Sequence, residues 1–129
     1  MVMRNDIKNI MIIDDNEDIV TMIRAMLEMK GYKAFVKINI IDLESYIKEV
    51  SPHLIIMDML LAGADGCEIC KALKKDTKFA AIPVLMISAH PNAEEECLHA
   101  GANIFLGKPF EMQEFFEAVE RGLMIKKEN

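Results

Sequence analysis

Basic residues are scarce in this chain: 15 Lys and Arg stand against 21 Asp and Glu, a formal charge of -6. No basic stripe and no interleaving of aromatic with basic residues occurs, which argues against direct binding of nucleic acid. Long hydrophobic runs are also missing; nothing approaches the roughly 20 apolar residues of a membrane span. The N-terminal MVMRNDIKNIMIIDD carries acidic residues straight into a strand pattern instead of forming a signal sequence, so the expected location is the cytoplasm. Cysteine is sparse and odd in number, with Cys67, Cys70 and Cys97 unable to close a disulfide framework. Cys67 and Cys70 form C-x-x-C, but inside the helical pattern GCEICKALKK, whereas a redox motif of this kind belongs in the turn before a helix. They read as small residues facing a sheet in a reducing compartment. Internal repeats and low-complexity stretches are absent as well.

What is present is an alternation of short apolar runs with longer helix-period segments. At 129 residues and 52% apolar content the chain suits a single domain, 1–129, with a core that needs no disulfide or structural metal. Alternation of this kind predicts an α/β fold, a parallel sheet covered on both faces. Strands are expected at 10–13, 33–37, 53–57, 84–87 and 103–106. Helices are expected at 17–30, 41–50 and 66–75, in the acidic segment HPNAEEECLHAG, and at 110–123. Ile19, Met22, Ile23, Met26 and Leu27 would face inward from the first helix; Leu43, Tyr46, Ile47 and Val50 from the second; Phe115, Phe116, Val119 and Leu123 from the last. Gly31 and Gly101 read as helix ends, Pro52 as a helix stop, Asp65 as a cap and Pro83 as a strand opener. Right-handed crossovers favour the doubly wound, flavodoxin-like order 2-1-3-4-5, with a switch point between the first and third strands.

Five polar residues stand where apolar strands give out: Asp14 and Asp15 after NIMII, Asp58 after LIIM, Ser88 after VLMI, and Lys108 after NIFLG. In a parallel sheet those strand ends share one edge, so residues distant in the chain would converge on one crevice. Taken singly, each has an ordinary reading: Asp14 and Asp15 as helix caps, Asp58 as a turn residue, Ser88 as a strand-end cap, Lys108 as a surface lysine. Taken in register they form a chemical set. Clustered carboxylates suit a hard divalent cation such as magnesium; Asp58 suits a nucleophile that carries a phosphoryl group; Lys108 and Ser88 suit the phosphoryl oxygens. Pro109 is a candidate for a cis bond that would turn the Lys108 amine inward.

The motifs IIDDNED, LIIMDMLLAGADG, PVLMISA and GANIFLGKPF together resemble the receiver domain of two-component response regulators, across about residues 8 to 124. The resemblance implies that Asp15 and Asp58 ligate Mg²⁺ directly, that Asp14 acts mainly through water, and that the backbone carbonyl of Leu60 completes the protein's share of the metal shell. It further implies that Asp58 is phosphorylated, that Ser88 is the switch hydroxyl, that Ala89 joins Ser88 and Lys108 around the phosphate, and that Phe105 is the aromatic rotamer switch. The implied donor is a histidine kinase or histidine phosphotransfer protein. The implied readout is a target protein or output domain on the face of the fourth helix, fifth strand and fifth helix.

Three features depart from the family pattern or tune it. Ala62 replaces a proline usual four residues after the phosphoacceptor, which implies a looser loop and a less defined start to the third helix. Phe105 lacks the hydroxyl of the commoner tyrosine and would couple to Ser88 through packing alone. Leu60 and His90 occupy positions that tune dephosphorylation in the family, Leu60 as a shield against water and His90 more simply as a solvent-facing side chain. The polar tail IKKEN reads either as a true C-terminus or as the stub of a linker. Two other readings compete with the phosphoryl switch: a binding module that keeps the fold without phosphorylation, and an aspartyl phosphatase. The latter needs a second acid two residues beyond the nucleophile, where this chain has Leu60.

Overall fold

The computed structural model describes residues 7–61 and 63–125. Five strands, β1 (Asn9–Ile13), β2 (Lys33–Lys37), β3 (Leu54–Asp58), β6 (Val84–Ser88) and β7 (Ile104–Gly107), form one parallel sheet. Their order is β2-β1-β3-β6-β7, the expected order of the five sheet strands. Helices α1 (Glu17–Met29), α2 (Leu43–Val50), α3 (Gly66–Lys75), α4 (Ala93–His99) and α5 (Met112–Leu123) connect or follow them. A two-residue hairpin, β4 (Leu60–Leu61) against β5 (Ala64–Asp65), lies between β3 and α3.

Alternation along each strand explains the two-layered core, because successive side chains of a strand point to opposite faces. Ile10, Ile12, Leu54, Ile56, Leu85 and Ile87 pack beneath Ile23 and Leu27 of α1 and Phe115, Phe116 and Val119 of α5. Met11, Ile13, Ile55, Met57, Val84 and Met86 pack against Leu43 and Ile47 of α2, Cys67, Cys70 and Leu73 of α3, and Cys97 of α4. The three central strands are therefore apolar almost throughout, as strands buried on both faces must be. The cysteines are free and buried, small residues of the α2–α3–α4 layer.

Several element boundaries differ from the sequence-based expectation, each for a local reason. Helix α2 starts at Leu43 instead of residue 41, because Asp42 adopts a left-handed backbone with φ 55° that no helix can contain. Helix α5 starts at Met112 instead of residue 110: Glu111 precedes it, and its backbone N–H donates to the Glu114 carboxylate at 2.8 Å. Phe110, left outside the helix, stacks on Phe115 with ring centroids 5.7 Å apart. Strand β3 runs to Asp58 and β6 to Ser88, because Met59 N–H bonds to Ile87 O and Lys108 N–H to Ser88 O, extending the ladder past the apolar run. Met22, expected inward, is 41% exposed, on the flank of the α1 stripe occupied by Ile23, Met26 and Leu27. Leu123 is only half-buried. Ala62 lies outside the described residues, yet the start of α3 on its far side is well defined: Asp65 accepts from Cys67 N–H at 2.8 Å, and Gly66 N–H donates to Met59 O at 2.8 Å.

Candidate functional site

The carboxyl ends of β1, β3, β6 and β7 lie side by side along one edge, and each ends in or beside a polar group. Asp58, the last residue of β3, receives the Lys108 ammonium on Oδ2 at 3.3 Å and the backbone N–H of Leu60 on Oδ1 at 3.2 Å. The ion pair spans 50 residues of sequence and is largely shielded from solvent, with side-chain exposures of 12% for Asp58 and 21% for Lys108. Lys108 follows β7 directly, is held to β6 by its N–H bond to Ser88 O at 2.8 Å, and precedes a cis peptide bond to Pro109.

Asp14, immediately after β1, is buried and accepts from the Asn16 N–H at 2.9 Å, while its own N–H donates to Lys37 O of β2. Burial pushes its carboxyl above the usual carboxylate range; the Asn16 bond opposes this, Asp58 raises it further, Lys108 lowers it, and Asp15 adds a final upward push. Asp14, Asp58 and Asp15 thus form one electrostatic unit. Asp15 itself is solvent-exposed. Such a group of like charges, offering oxygen donors only and partly shielded from water, has the chemistry of a hard divalent-cation site. Asn16 does two jobs here: its backbone orients Asp14, and its side chain caps α1 by accepting from Ile19 N–H at 3.1 Å.

Ser88, fully buried at the end of β6, accepts from the His90 N–H at 3.0 Å. Ala89 and His90 are exposed beside it, and the His90 ring accepts from Asn92 N–H at 3.3 Å. Leu60, 65% exposed, stands at the mouth of the site on the β4–β5 hairpin. Phe105 is half-buried, pairs with Met86 across β6 and β7, and lines a groove of about 640 Å³ between α4 and α5. That groove is distinct from the Asp58 cluster; Glu94, Glu114, Glu117 and Glu120 make its rim acidic.

Two residues of the site were not anticipated from sequence, Asn16 in its backbone contact with Asp14 and Gly66. Gly66 brings the start of α3 so close to β3 that a Cβ there would stand 2.5 Å from the Asp58 backbone oxygen. A D-G dipeptide was the available signal, but in one dimension it denotes only a turn.

Fold and edge chemistry together define a doubly wound α/β protein with an acidic site at its topological switch point. The family model for the response regulator receiver domain matches residues 10–120, and the chain belongs to that family. It is 33% identical over 112 residues to the transcriptional regulator RpaA of Synechocystis, covering 85% of this chain and 46% of RpaA. It is 30% identical over 115 residues to the polar-differentiation response regulator DivK of Brucella anthropi, covering 88% of this chain and 94% of DivK. The chain thus spans about half the length of RpaA and most of that of DivK. Among solved structures, a putative response regulator from Chloroflexus aurantiacus superposes with a TM-score of 0.85 at 30% identity, covering 91% of this chain and 98% of the other. The receiver domain of the sensor histidine kinase PA1611 from Pseudomonas aeruginosa, which holds a magnesium ion in its active-site cleft, superposes with a TM-score of 0.81 at 26% identity, covering 91% and 98%. Among the described residues no helix is long and apolar enough to cross a membrane.

Proposed function

We propose that this receiver domain accepts a phosphoryl group on Asp58 from a phosphohistidine of a histidine kinase or phosphotransfer protein in the cytoplasm. The observation that carries the reading is the shielded 3.3 Å pair between Lys108 and Asp58, set beside the buried Asp14. An Asp58 carboxylate oxygen attacks phosphorus in line, the P–O bond forms as the P–N bond to histidine breaks, and the imidazole leaves with the bonding pair. Lys108 is placed to exchange its contact with the Asp58 carboxylate for one with the incoming phosphoryl oxygens. The Ser88 hydroxyl and the Ala89 N–H supply neutral donors to the same oxygens.

Asp14, Asp15, Asp58 and the Leu60 carbonyl would hold Mg²⁺, which when bound offsets the negative charge of carboxylates and phosphate together. Burial is the main reason the Asp14 carboxyl is raised, but Asp58 and Asp15 add repulsion to it, and that repulsion between clustered carboxylates is what a cation would relieve. Movement of Ser88 toward phosphate would free space beside Phe105. The α4–β7–α5 face would then shift in population and present itself to a target protein or an output domain.

Intact mass after incubation with acetyl phosphate tests the chemistry. A magnesium-dependent phosphoryl adduct should form on the native chain and be absent from Asp58→Asn. If Mg²⁺ binds, hydrolysis is slow on the timescale of the measurement and no adduct forms, the fold serves as a phosphorylation-independent binding module.

A further inference from the structure

The groove between α4 and α5 joins an apolar floor to a rim dominated by one sign of charge. Its floor is β7, the edge strand of the sheet, which pairs with β6 alone. Phe105 is half-buried there and Gly107 is exposed, while Leu106, only 8% exposed, packs in the layer beneath α1 and α5. Met124, 80% exposed, adds a second apolar contact just after α5.

Glu94 on α4 and Glu114, Glu117 and Glu120 on α5 form the rim, against one guanidinium, that of Arg121. Hydrogen bonds fix two of these carboxylates without neutralising them: Glu114 accepts from the Glu111 N–H at 2.8 Å, and Glu117 from the Gln113 side chain at 3.3 Å. Among the described residues no ion pair reaches any of the four. Like charges around an apolar trough repel one another, and a cationic group entering it relieves that repulsion. Lysine and arginine suit both floor and rim, because each carries its charge on a long apolar stem. A second copy of this chain suits neither. A two-fold contact through this face would set the same patch on both copies, and one Arg121 on each cannot neutralise four carboxylates.

We infer that this groove docks a basic segment of a partner protein, in which Lys or Arg side chains flank an apolar anchor seated on Phe105. The inference rests on the proposed output role of the α4–β7–α5 face and gives the partner of that face its chemistry. Acidic segments are excluded by the same rim. Phe105 is at once the floor of the groove and the proposed link to Ser88, so phosphorylation of Asp58 would alter the floor and leave the rim in place. The rim then selects the partner, and the floor sets how tightly it is held.

The test is fluorescence anisotropy with two labelled synthetic peptides, one with lysines on both sides of a Leu-Phe pair and one with glutamate in place of every lysine. The lysine peptide should bind and the glutamate peptide should not. Glu117→Lys should weaken binding by about 10-fold, and Glu94→Lys added to it should weaken it further. Glu44→Lys with Glu49→Lys, an equal change of net charge on α2, should leave it within about 2-fold. All four positions are exposed, so these substitutions leave the core intact. Amide chemical shifts should move at Phe105, Gly107 and Glu117. Binding should persist in Asp58→Asn, which removes the phosphoryl acceptor and nothing of the groove, so loss of the phosphoryl adduct and loss of docking are separate results. Equal binding of the two peptides, equal weakening by the α2 and groove reversals, or a concentration-dependent dimer abolished by Glu117→Lys would each overturn the assignment, the last by giving the groove to a second copy.

Discussion

The interior of the central strands and their carboxyl edge are buried to nearly the same degree but are built from opposite chemistry. Ile10 to Ile13, Leu54 to Met57 and Val84 to Ile87 are at most 1% exposed and wholly apolar. One residue further along, Asp14 is 3% and Ser88 1% exposed, and Asp58 is shielded beside Lys108. Burial of the first set stabilises the fold at about 25 cal/mol per Å². Burial of the second set costs free energy, because carboxylates lose hydration and repel one another. The interior therefore supports a strained edge, an arrangement expected of sites tuned for chemistry.

The largest expected effect that sharpens this contrast is in the interior. Phe115→Ala, which empties a fully buried ring site beneath α5, should destabilise the domain by about 3–5 kcal/mol in urea unfolding. Gly66→Ala comes next: its methyl would meet backbone on β3 and should cost about 1–3 kcal/mol, while also lowering the rate of the proposed phosphorylation by displacing the Asp58 backbone. Asp14→Asn should act in the opposite direction, raising stability by on the order of 1 kcal/mol without added Mg²⁺ while weakening Mg²⁺ binding, as read by calorimetric titration.

A pH series checks the cause of that gain. The Asp14 carboxyl is raised in the fold, so the folded state retains this proton after the unfolded chain has released it. Its contribution to stability is therefore present at low pH and lost as pH rises from the unfolded value through the raised folded one. Asp14→Asn should remove that part of the slope. Smallest of all, Met22→Lys should change stability by less than about 0.5 kcal/mol, since the side chain lies on the exposed flank of α1. A loss of more than 2 kcal/mol there would mean that Met22 belongs to the core after all.

Most of the sheet was legible because its signals are local. Apolar runs bounded by Gly, Pro and Asp identify strands, and the helical stripe of Ile23, Met26 and Leu27 identifies α1. Ends of elements were less legible. Neither the left-handed Asp42 nor the Glu111–Glu114 contact that precedes α5 leaves a periodic trace, so both helices were read as starting early. The hairpin β4–β5 escaped notice because two-residue strands carry no pattern at all. At the edge, residue types and their strand-terminal positions pointed to Asp14, Asp15, Asp58, Ser88 and Lys108, whereas Gly66 and the backbone role of Asn16 depend on contacts that no spacing reveals.

The sequence alone determined that the chain alternates strands and helices, which faces are apolar, and that polar groups stand at the ends of four strands. Those properties follow from side-chain type and backbone period, both written residue by residue. Only the tertiary structure decided that Lys108 meets Asp58 across 50 residues, that Asp14 is buried while its neighbour Asp15 is exposed, and that Cys67 touches Cys97 from another helix. Such contacts depend on how closely distant segments pack, and packing is settled by the volumes and shapes of all the side chains between them.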